Sequence, residues 1–129
     1  MKTCKQFLIG VAISMMLSTS LIAAEEQGVA EVRHGGVTTM LKNRDYELVA
    51  KPNSLTVFVY QDEKPASTKS ATGTLTLSEG DSKTTVTLQP TGVNVMEAKG
   101  AFKVGAGAKA VATITLSGRK PQEVHWTLK

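Results

Sequence analysis

Thr74-Leu75-Thr76-Leu77-Ser78, then Glu79-Gly80-Asp81-Ser82, then Thr85-Val86-Thr87-Leu88: apolar and polar residues alternate on both sides of a tight-turn sequence. Alternation with a period of two turns every second side chain to one face, which is the pattern of a half-buried strand. Gly-Asp between two such runs predicts a hairpin over residues 71–90. The same pattern extends outward in both directions. Leu55-Thr56-Val57-Phe58-Val59-Tyr60 is rich in β-branched and aromatic residues. Lys109–Leu116 alternates over its whole length, and Gly118-Arg119-Lys120-Pro121 turns it into a last strand, Glu123–Leu128. Shorter strands are predicted at Gly36–Leu41 and Tyr46–Lys51, parted by Lys42-Asn43-Arg44-Asp45, and at Val95–Lys99.

Pro52-Asn53-Ser54, Glu63-Lys64-Pro65 and Pro90-Thr91-Gly92 fall where strands must stop. No stretch after residue 24 has convincing helical periodicity, and only the Ala/Gly-rich Val104–Ala110 is ambiguous. About seven short strands with frequent turn signals predict an all-β domain over residues 36–129, an antiparallel immunoglobulin-like β-sandwich. A small barrel is the rival arrangement. The predicted core is Leu48, Leu55, Val57, Val59, Leu75, Leu77, Val86, Leu88, Phe102, Ala110, Ala112, Ile114, Leu116, Val124, Trp126 and Leu128.

Residues 1–24 have a different character. Lys2 and Lys5 precede an apolar run from Phe7 to Leu17, and Leu21-Ile22-Ala23-Ala24 ends the segment on small residues. Charged start, apolar middle and small-residue exit are the three parts of a signal peptide. A spanning helix needs about 20 apolar residues, and this run is shorter and broken by Ser18, Thr19 and Ser20. Cleavage after Ala24 is expected, giving a periplasmic protein with no membrane span. Residues 25–35 then form a flexible N-terminal segment ahead of the domain. Cys4, the single cysteine, lies before the apolar run and leaves with it, so no disulfide can support the fold.

Loss of Lys2 and Lys5 leaves 13 basic and 11 acidic side chains, a net charge of +2. The basic residues are scattered, and the aromatics sit in strand patterns rather than among clustered cations, which argues against nucleic-acid binding. Catalytic signatures are missing as well. His34-Gly35-Gly36 superficially resembles the His-Gly-Gly loop of esterases, but no Gly-x-Ser-x-Gly elbow supplies a nucleophile. Gly105-Ala106-Gly107 lacks the lysine and the strand-loop-helix setting of a phosphate-binding loop. Asp62-Glu63 belongs to a turn. The expectation is a protein that is not an enzyme.

Metal binding has better candidates. Imidazole and thioether groups suit copper, and imidazole with carboxylate suits Cu(II) or zinc. After the signal the chain offers His34, His125, Met40 and Met96, and these are the candidate ligands. No pair of them has a spacing that guarantees a shared site. An amino-terminal copper chelate needs histidine third, and after cleavage at Ala24 the third residue is Gln27. By strand alternation His125 faces solvent, opposite Val124 and Trp126.

His34-Gly35-Gly36, Tyr46-Glu47-Leu48-Val49, Lys51-Pro52, Leu55–Tyr60, Asp62 and Lys64-Pro65 open a longer pattern. It continues with Gly73-x-Leu75-x-Leu77, Leu88-x-Pro90, Ala98-x-Gly100-x-Phe102 and Gly105-x-Gly107. Together these resemble a group of small periplasmic all-β proteins of Gram-negative bacteria, described as hypothetical exported proteins. A similar module is found with adaptor subunits of heavy-metal efflux systems, and related single-domain forms tend to accompany metal-resistance genes. The resemblance implies a binding or interaction module accessory to such a system, with an envelope transport or efflux component as partner. The alternative it implies is a periplasmic accessory that binds copper or zinc.

Overall fold

The alternating segments fold into nine strands, as a computed structural model describing residues 30–129 shows. These are β1 (Val37–Leu41), β2 (Arg44–Lys51), β3 (Ser54–Gln61), β4 (Lys64–Pro65), β5 (Thr72–Glu79), β6 (Ser82–Pro90), β7 (Val95–Lys99), β8 (Lys109–Thr115) and β9 (Gln122–Thr127). The signal peptide expected at residues 1–24 lies outside the described residues. The described residues contain no helix, and every strand pairing is antiparallel.

The strands run β1-β2-β3-β7-β6-β5-β8-β9 in one continuous path, with the two-residue β4 added to β3. This differs from the expected seven strands in two separate layers. The link is β6, which pairs with β5 from Ser82 to Leu88 and then passes Gln89 and Pro90 to β7. Pro90 has no N–H to donate, and Thr91 N–H bonds the Val95 carbonyl at 3.0 Å just beyond it, closing the short second ladder. Alternation shows which face of a strand is buried. It does not show that one strand serves two neighbours in succession, and that is what joins the halves.

The path curls until β1 and β9 approach each other, giving a nearly closed, barrel-like sheet. Backbone pairing does not close this seam. Thr39 Oγ donates to the His125 carbonyl across it at 2.6 Å. Leu48, Leu55, Val57, Val59, Leu75, Leu88, Met96, Ile114 and Val124 fill the interior, and Trp126 packs with them. Thr68 is fully buried, and its hydroxyl lies 3.1–3.2 Å from the carbonyls of Gly92, Val93 and Val95, fastening the loop after β4 to the β6–β7 connection. Of the predicted core, only Val86 is partly exposed.

Candidate functional site

Two groups of side chains carry chemistry, one on the outer face of β2 and β3 and one at an open end of the barrel. On the outer face, Asp45, Glu47, Phe58 and Tyr60 point away from the core, out of phase with Tyr46, Leu48, Val57 and Val59. Residues 30–36 lie over them. The Glu47 carboxylate, 1% exposed, accepts three backbone N–H bonds: from Arg33 at 3.1 Å, His34 at 2.8 Å and Gly36 at 3.0 Å. Bonds to a charged acceptor are the stronger class, so this one side chain anchors the approach to β1.

The anchoring places two side chains. Arg33 lies 3.4 Å from Asp45 and stacks over the Tyr60 ring at 4.1 Å, a cation–π contact. His34 stacks on Phe58 with ring centroids 3.7 Å apart and planes 13° from parallel. Its Nε2 lies 2.8 Å from the Tyr60 hydroxyl. The glycine pair is explained by the same turn. Gly35 has φ of 75°, and a Cβ on Gly36 would stand 2.2 Å from the Leu48 carbonyl oxygen.

The four candidate metal ligands are dispersed. His34 is held by Phe58 and Tyr60. His125 projects from the outer face of β9, its Nε2 2.6 Å from Glu123 Oε1. Met40 is 38% exposed on β1, beside a shallow recess reaching Ala30, Arg33 and Asp45. Met96 is fully buried in the core. Among the described residues, no group of three or more His, Cys, Asp or Glu side chains converges in a way that holds a metal ion.

The second group went unread in the sequence. Arg44 begins β2 in phase with Tyr46 and Leu48, so its side chain points inward, and it is 6% exposed. Its Nε donates to Gln61 Oε1 at 3.3 Å. Beside it the buried Tyr46 hydroxyl makes no well-formed hydrogen bond, with Arg44 the main polar group acting on it. Burial pushes the Tyr46 phenol above its ordinary value, against a hydrogen-bonding and electrostatic pull from Arg44 and a weaker one from Arg119. The signal that finds this site is a charged residue at an inward strand position.

Comparison of the chain with protein-family models, with curated proteins and with solved structures gives no match.

Proposed function

We propose that this protein is a non-catalytic binding module of the cell envelope. Residues 1–24 export it to the periplasm, and it works beside an envelope metal-efflux system by contacting one of that system's protein components. The order of charged, apolar and small residues at the amino terminus supports export. The resemblance set out above supports the efflux setting.

One observation carries the interaction reading. β1 and β9 stand side by side with their facing edges unpaired, joined by the Thr39–His125 bond. Unpaired strand edges present backbone donors and acceptors to another chain. Around the seam lies a recess of about 310 Å³ lined by Val32, Val37, Thr39, His125, Trp126 and Lys129 among others, with Val32 exposed at its rim. The test is a titration of the isotope-labelled exported protein with the purified soluble part of an efflux adaptor subunit, followed by amide chemical shifts. Selective, saturable changes in Val37–Leu41 and Gln122–Thr127 are expected. A titration that moves no amide of β1 or β9 removes the reading.

A further inference from the structure

The end of the barrel framed by the β1–β2, β3–β4 and β8–β9 turns opens into a recess of about 440 Å³, whose lining includes Arg44, Asp62, Lys64, Ser67, Ser117 and Arg119. Topology makes this cluster. Arg44 and Gln61 are paired residues of β2 and β3, Lys64 follows the next turn, and Arg119 comes from the turn after β8. Three cations face one carboxylate, and Asp62 makes no ion pair with any of them. Arg44 is the unusual member. A guanidinium has five N–H donors, and this one is almost wholly buried with one side-chain acceptor, Gln61. Buried cations are ordinarily paired with an acidic group. Among the described residues Arg44 has no such partner. The Tyr46 hydroxyl nearby is buried without a well-formed hydrogen bond, and both Arg44 and Arg119 act on it as neighbouring cations. The turns framing the recess, Lys42-Asn43 and Asp62-Glu63, are two-residue hairpin turns with both residues at positive φ, which holds the recess between tight, short connections.

We propose that this end of the barrel binds a small oxyanion, a carboxylate or a phosphate, with Arg44 as its buried anchor. The donor set decides the class. Guanidinium forks match two coplanar oxygens, and Lys64 adds a point charge at the rim. The ligand's oxygens supply the anionic partner that Arg44 lacks. A metal cation is the wrong partner for such a lining.

The test is a two-dimensional NMR titration of the exported protein with sodium phosphate and, separately, sodium acetate, each at ionic strength matched with sodium chloride. The arginine Nε–Hε signals are followed together with the backbone amides. A saturable shift of the Arg44 Nε–Hε signal, with changes at Gln61–Ser67 and Ser117–Arg119, is expected for at least one of the two. Phosphate alone, acetate alone or both identify which oxyanion fits, and each supports the site. Arg44→Lys replaces a fork by a point charge and weakens binding by about tenfold or more. Arg44 is buried, so that variant's fold is in question. Arg119→Ala and Lys64→Ala change exposed residues and lower affinity several-fold in a protein that still folds. No saturable shift with either anion overturns the proposal. So does a shift of equal size and midpoint in Arg119→Ala and Lys64→Ala.

Discussion

Trp126 Nε1–H donates to the Tyr46 carbonyl at 3.0 Å, a bond between β9 and β2 that spans 80 positions of sequence. It passes beneath β1 and is one of two hydrogen bonds holding the unpaired seam, the other being Thr39 to His125. Indole is suited to this place because its ring fills the core while its one N–H finds an acceptor. On its β8 side the last strand has a six-residue ladder, and on its β1 side packing and side-chain bonds stand where a closed barrel has a second one.

The Trp126 emission is expected to be blue-shifted in the native protein and to move red in urea. Trp126→Ala should cost about 3–5 kcal/mol, from lost contacts and the cavity left behind. Trp126→Phe keeps most of the packing and leaves the Tyr46 carbonyl without its indole donor, costing less, about 1–3 kcal/mol. Urea unfolding followed by circular dichroism measures both. Equal losses in the two variants would mean that the hydrogen bond, and not the packing, holds β9.

The two adjacent glycines should respond differently to a methyl group. At Gly36 a Cβ meets the Leu48 backbone oxygen at 2.2 Å, and backbone cannot swing aside as a side-chain tip can. Gly36→Ala is expected to displace the start of β1 and to cost about 1–3 kcal/mol as an overpacking change. At Gly35 the space is open but φ is 75°, so Gly35→Ala costs about 1–2 kcal/mol through backbone strain alone. Amide exchange at Arg33, His34 and Gly36, which donate to Glu47, separates the two. It should accelerate strongly in Gly36→Ala and weakly in Gly35→Ala.

Strand positions and most of the core were legible because alternation is a local property. Leu75 and Leu77, or Val124, Trp126 and Leu128, declare their common face without reference to any other segment. Neighbour relations were not legible. β6 serving both β5 and β7, and the two-residue β4 made by a tight turn at Asp62-Glu63, depend on contacts that no single segment encodes. The same limit hid the cationic recess. Arg44, Lys64 and Arg119 are scattered in sequence and meet where three turns come together. Glu47 was missed for a related reason, since an outward strand position reads as solvated until residues 30–36 are laid across it.

Tyr46 predicts an alkaline weakness. Folding favours its neutral form, so its folded value stands above the ordinary 10.0. Its stabilising contribution is complete below pH 10.0 and is lost as the pH rises past 10.0 and through the raised value. Tyr46→Phe removes the phenol and with it this part of the pH dependence. At neutral pH the variant should lie within about 1 kcal/mol of the parent, because the hydroxyl it deletes makes no well-formed hydrogen bond. Melting temperatures of both proteins, measured from neutral pH to above pH 10.0, should diverge in favour of the variant at the alkaline end. Parallel curves would contradict the assignment.

Metal titration decides whether His34, His125, Met40 and Met96 act together. A structural zinc site takes about four protein ligands, and copper sites draw on the same imidazole and thioether groups. His34 rests on β3, while His125 belongs to β9, with β2 and β1 between them in the sheet. At about 4.8 Å per strand spacing, that separates the two positions by roughly 14 Å, too far for one ion. Met96 is inside the barrel and Met40 outside it, so neither joins the histidines. Calorimetry of the chain from residue 25 onward with Cu(II), with zinc, and with Cu(I) under reducing conditions is expected to give at most one weak ion. That ion should follow the exposed His125–Glu123 pair, and Glu123→Gln should weaken it further. A stoichiometric, submicromolar site abolished by His34→Ala or by His125→Ala would require the segment before β1 to leave Glu47 and refold across the seam. That result would put metal binding ahead of protein contact.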